Sequence, residues 1–129
     1  MKFGWGDYLP ETAPFVESWL DDEAKKYAGC DDGFAKYYDY WKSATEHNLG
    51  CGFCCKLFFY DEKPIGVIAL GEQEGIFTIM EYIIAPELRG KGYGSAALCE
   101  LLSESRKIIG RDIDYAEAVI FLNNIYIKY

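Results

Sequence analysis

At 129 residues the chain is long enough for one domain with a moderate core and too short for two. It is 50% hydrophobic and 17% aromatic, which excludes a disordered chain, and its net charge of −8 argues against nucleic acid as the main partner. No apolar run reaches about 18 residues, so no membrane span is expected, and the opening MKFGWGDYLPET lacks a signal-peptide hydrophobic region, so the expected location is cytoplasmic.

Lys2 to Tyr8 reads as a short first strand. Pro10-Glu11-Thr12-Ala13-Pro14 marks a helix entry, with proline tolerated in the first turn. A helix is expected from about Ala13 to Tyr27, turning Phe15, Trp19, Leu20 and Ala24 inward. Cys30-Asp31-Asp32-Gly33 is a turn, and a second helix, about Phe34 to His47, carries Phe34, Tyr37, Tyr38 and Trp41. This first third is aromatic and acidic. Asp21, Asp22, Asp31 and Asp32 are better read singly as a solvated face than as a cation site. Strands follow at Gly52–Tyr60, Ile65–Leu70 and Ile76–Ile84, separated by turns at Asp61–Pro64 and Gly71–Gly75. Turns of about five residues make this meander antiparallel. Tyr115 to Leu122 is a fifth strand, reached by a helical crossover and so expected parallel to Ile76–Ile84. The five cysteines, Cys30, Cys51, Cys54, Cys55 and Cys99, are an odd number and are expected to be free thiols. Cys51-x-x-Cys54 is half a zinc pattern, and His47 is the sole histidine, so no metal site is expected.

The stretch around which these elements are organised is Thr78 to Ile109. A buried strand ends near Ala85, because Pro86 cannot continue the ladder. Arg89, Gly90, Lys91, Gly92, Tyr93, Gly94 and Ser95 follow, and then a helix whose buried face takes Ala97, Leu98, Leu101, Leu102, Ser105, Ile108 and Ile109, with Gly110 as its stop. Glycines, two basic residues and the unpartnered first amides of a helix coincide there, which is the chemistry of a phosphate site. The dinucleotide pattern G-x-G-x-x-G fails because Ser95 stands where its third glycine should be, and no Gly-Lys-Ser/Thr of a P-loop is present. Arg89, Gly92 and Gly94 instead fit R-x-x-G-x-G.

IIAPELRGKGYGSAAL resembles the acetyl-coenzyme A loop of the GCN5-related N-acetyltransferases, the GNAT superfamily. With the order β-α-α-β-β-β-α-β, the resemblance covers most of the chain. It implies a single α/β (α+β) domain over residues 1–129 with a mixed, mostly antiparallel sheet flanked by helices. It implies acetyl-coenzyme A as co-substrate. The loop from Arg89 through Ser95 would hold the pyrophosphate, and the strand backbone at Ile83 and Ile84 would meet the pantetheine arm and the oxyanion. Asn123, after the fifth strand, joins the cofactor set. The expected reaction moves an acetyl group to a primary amine: a small amine, an antibiotic, or a peptide or protein amine. Glu81, the sole carboxylate within the central strand, is the candidate base, directly or through water, and shares a strand face with Ile83 while Tyr82 and Ile84 share the other. Tyr129, then Tyr126, are candidates for the acid. The family's C-terminal hairpin lacks residues here: either the chain is cut short or a neighbouring subunit completes the sheet as a homodimer. A non-catalytic acyl-coenzyme A-binding module is the alternative.

Overall fold

The computed structural model describes residues 2–22, 24–25, 30, 32–47, 51–113 and 116–118. Strands β1 (Gly4–Asp7), β2 (Cys51–Tyr60), β3 (Lys63–Gln73), β4 (Ile76–Ile84) and β5 (Ala116–Ala118) form one sheet in that order. The first four are antiparallel to their neighbours, and β5 runs parallel to β4, with Phe77 opposite Ala116. The bounds expected for β4 hold at both ends. Of the expected fifth strand, Tyr115 and residues 119–122 lie outside the described residues, as do Asn123, Tyr126 and Tyr129 and the question of the final hairpin.

The two hairpin turns are tighter than the expected five residues. Tyr60 pairs with Lys63 and Gln73 with Ile76, leaving Asp61-Glu62 and Glu74-Gly75 as two-residue loops. All four loop residues have positive φ, from 51° to 86°, the twist that right-handed strands require of so short a connection. Asp61-Glu62 lacks the glycine that normally signals such a turn, and Pro64 belongs to the strand opposite Phe59. Two bulges shape the sheet. Ile65 is the extra residue in β3 against β2, and Met80 the extra residue in β4 against β3.

Two expected helices are divided. The first, expected to reach Tyr27, ends early as α1 (Ala13–Ser18), because Asp21 Oδ1 accepts from Ala24 N at 2.8 Å and starts a new turn. The second helix, α2, spans Phe34–Glu46. The helix after the glycine loop is α3 (Tyr93–Ser103) followed by α4 (Ser105–Ile109), broken at Glu104, whose φ of −119° and ψ of 29° leave the helical region. The buried Ser105 hydroxyl then accepts from Ile113 N at 3.0 Å, which fixes the path of the chain beyond Gly110.

Both sheet faces are covered. Alternation along β2, β3 and β4 sends Cys55, Leu57, Val67, Ala69 and Ile83 to one side, where they pack with Tyr8, Val16, Trp19 and Phe34 of the N-terminal segment. Ile68, Leu70 and Ile79 go to the other side with Leu98 and Leu101 of α3. Phe58 lies on that second side directly over Gly66, where an added Cβ would fall 2.2 Å from the ring. The outer strand β1 is tied to α3 through Glu100, whose carboxylate accepts from Phe3 N and from Trp5 Nε1, each at 3.1 Å.

Candidate functional site

The end of β4, the loop after it and the start of α3 form one unit. Gly92, at φ 88°, caps α3, and the first intrahelical bond runs from Ala96 N to Gly92 O at 3.1 Å. No side chain caps this end, so the amides of Tyr93, Gly94 and Ser95 are left for an external acceptor. Gly90, at φ 75°, and Gly92 both stand in open space, with no heavy atom within 4 Å of where a Cβ would be. Lys91 is fully on the surface side of this cradle. Gly94 faces inward: an added Cβ would touch Ile84 Cδ1 at 3.5 Å and come within 3.7 Å of the Tyr82 hydroxyl. That hydroxyl donates to Gly94 O, tying the strand to the first turn of the helix. The Tyr93 ring packs on Tyr60 at 5.4 Å, so Tyr93 offers the cradle its amide.

Arg89 is directed inward. Its Nε donates to Ile84 O at 3.0 Å, NH2 to Trp19 O at 3.0 Å, and NH1 to Asp21 Oδ2 at 2.7 Å. Hydrogen bonds from Ala24 and Arg89 hold the Asp21 carboxyl below its usual range. The guanidinium thus clamps the end of β4 to the segment after α1, and a ligand meets only what remains of it. The sequence offered Arg89 as a charge beside the loop; the clamp was legible in no motif, since Trp19 contributes a carbonyl and Asp21 lies 68 residues away.

At the end of β4 the backbone presents a second feature. Ala85 N donates to Ile65 O at 2.9 Å, so the neighbouring Ile84 turns its N–H and C=O to the opposite edge. Among the described residues, β5 covers that edge only from Phe77 to Ile79.

Glu81 stands opposite Ala69, which stands opposite Cys55. Tyr8 N reaches Cys55 O at 3.0 Å, so Tyr8, Cys55, Ala69 and Glu81 form a row across four chain segments. They lie on the face covered by α2, and Glu81 shares this face with Ile83, while Tyr82 and Ile84 face α3. Burial pushes the Glu81 carboxyl up to about 8, and among the described residues it forms no ion pair. The phenol of Tyr37 on α2 is itself shifted upward, by burial first and then by the nearby Glu81 charge. Burial raises the Tyr8 hydroxyl to about 12 and moves the Cys54 and Cys55 thiols upward too. Cys54 and Cys55 point to opposite faces and pack with the two halves of the core. Among the described residues no three His, Cys, Asp or Glu side chains converge as metal ligands. A shallow depression of about 300 Å³ beside Phe3, Trp5 and Glu100 is separate from this site.

Comparison with known proteins gives three findings. The sequence model of the acetyltransferase (GNAT) family matches residues 13–124. No curated protein matches the chain significantly in sequence. The fold matches solved structures of low identity. One is a GNAT family acetyltransferase from Staphylococcus aureus, with TM-score 0.62 and 17% identity over 100% of this chain and 94% of that one. Another is the PaiA N-acetyltransferase from Thermoplasma acidophilum in complex with coenzyme A, with TM-score 0.57 and 19% identity over 97% and 83%. A third is the ribosomal-protein-alanine N-acetyltransferase from Brucella melitensis, with TM-score 0.54 and 10% identity over 95% and 82%.

Proposed function

The chain belongs to the GNAT acetyltransferase family, and on that premise we propose that it transfers the acetyl group of acetyl-coenzyme A to a primary amine, with Glu81 as general base. The observation that carries this reading is a half-buried carboxyl without an ion pair among the described residues, on the strand that leads into an amide-lined loop.

The loop suits a pyrophosphate. The amides of Tyr93, Gly94 and Ser95 are donors with no intrahelical partners, the helix dipole adds roughly half a positive charge, and the absence of Cβ atoms at Gly90 and Gly92 leaves the backbone approachable. Lys91 adds a full charge. Acetyl-coenzyme A supplies an activated thioester. The amine forms a C–N bond to the acetyl carbon as the C–S bond breaks; Glu81 takes the amine proton, and the thiolate leaves with a proton from solvent or a nearby acid. Ile84 N–H, turned away from β3, is the donor available to the carbonyl oxygen as charge develops there. A carboxyl with a pKa near 8 is about one-tenth ionised at pH 7, yet when ionised it is a stronger base than an exposed glutamate.

The test is thiol release from acetyl-coenzyme A in the presence of alkylamines, arylalkylamines, polyamines, aminoglycosides and short peptides. Amine-dependent release with an acetylated product is the expected result. Coenzyme A binding without transfer to any of these amines would replace this reading with that of an acyl-coenzyme A-binding module.

A further inference from the structure

The wall of the site beside Glu81 has a chemistry of its own, set by the bulge in β4. Because Met80 is the extra residue, it leaves the alternation and turns to the same face as Glu81. Its sulfur occupies the space beside Gly71, where a Cβ would lie only 2.7 Å away. Gly71 pairs with Phe53, so the thioether lies on the Phe53 side of Glu81. Helix α2 completes the wall. Tyr38 packs on Phe53 at 5.7 Å, Tyr37 reaches toward Glu81, and Trp41 follows Tyr37 one turn later at 6.4 Å. Trp41 and Tyr37 are half-buried, and Tyr40, packed edge-on against Trp41 at 5.1 Å, is 65% exposed. A path of rings therefore runs from Tyr40 at the surface through Trp41 to Tyr37, whose phenol is near enough to feel the Glu81 charge. Lys42, one turn on from Tyr38, lies over the outer side of this wall, 5.7 Å from the Tyr38 ring centre.

We propose that the acceptor is a primary amine carrying an aromatic ring, its amine at Glu81 and its ring against Met80 and the Tyr37–Trp41 edge of α2. This rests on the acetyl-transfer reading for its chemistry, and on the wall for its selectivity. The occupant carries its amine at one end, where acetyl transfer needs it beside the Glu81 carboxyl, which forms no ion pair among the described residues. It must be apolar where it meets the Met80 thioether and the faces of the rings, which offer dispersion and quadrupole contacts, the phenols and the indole N–H standing only at the ring rims. A polyhydroxylated amine would lose water along this wall without replacing its hydrogen bonds.

The experiment compares phenethylamine with butylamine, spermidine and kanamycin, by kcat/KM for acetyl transfer and by equilibrium binding in the presence of coenzyme A. Phenethylamine is expected to exceed butylamine by about tenfold in both readouts, the size of one aromatic contact beyond area burial. Trp41→Ala should remove most of that preference, read as the ratio of the two kcat/KM values and of the two binding constants. Met80→Ala gives a second variant at the other side of the ring. Equal or better use of butylamine, spermidine or kanamycin would overturn the aromatic preference and leave the acetyl-transfer reading standing. If no amine is acetylated, the binding comparison still decides: preferential binding of phenethylamine, lost in Trp41→Ala, upholds the site, and equal binding of phenethylamine and butylamine overturns it.

Discussion

Glu81, the base we propose, also costs the fold stability at high pH. Its folded-state pKa, about 8, lies above its unfolded value of 4.5 because burial disfavours the charged form. The folded chain therefore holds a proton that the unfolded chain releases between these two values. The stabilisation from that proton is full below about pH 4.5, falls as pH rises through the window, and is gone above about pH 8. Glu81→Gln removes the titrating group, so its stability should not fall in that window. Urea unfolding should show the variant more stable than the parent at pH 9 by roughly 2–4 kcal/mol, with the difference shrinking toward pH 5. Equal pH dependence in the two proteins would mean that Glu81 is solvated. Tyr82 acts at the same scale through geometry: its hydroxyl on Gly94 O holds the first turn of α3 against the strand.

At the scale of elements, the loop and the hairpins can be tested separately. Gly92 needs its positive φ, so any side chain there combines strain with charge. Gly94 is the cleaner probe, because it has negative φ and an added Cβ meets only ordinary contacts. Gly94→Asp adds a carboxylate at the unpartnered amides. Calorimetry should show coenzyme A affinity lowered at least tenfold, with thermal unfolding followed alongside because the new side chain also meets Ile84 and Tyr82; unchanged affinity would remove the loop from the cofactor site. The turn at Asp61-Glu62 holds two non-glycine residues at positive φ. Asp61→Asn with Glu62→Gly supplies the sequence such a turn favours, and should raise the unfolding free energy by about 1 kcal/mol, seen as a higher denaturant midpoint with an unchanged slope. A loss of stability would show that the side chains at 61 and 62 make compensating contacts.

The whole molecule was legible where period and composition act locally. Strand β4, the glycine loop, Gly110 as a helix stop and the order of the sheet follow from alternation, proline and glycine. What escaped was tertiary. The early end of α1 depends on an Asp21 cap that competes with a helix-compatible sequence. The inward turn of Arg89 depends on carbonyls at Trp19 and Ile84. The Met80 bulge depends on Gly71 leaving room across the sheet, and none of these partners is visible at short range. The single-domain extent over residues 1–129 remains the expectation it was from length. Whether the half-buried Glu81 carboxyl on β4 drives acetyl transfer at the loop is decided by the pH dependence of thiol release with a saturating amine. Turnover of the parent should rise through an apparent pKa near 8. Glu81→Gln should lose about 10²- to 10⁴-fold at neutral pH, keep its affinity for coenzyme A, and recover partly at high pH, where free amine is plentiful. Turnover by Glu81→Gln within a few-fold of the parent, with the same profile, would contradict that role for Glu81.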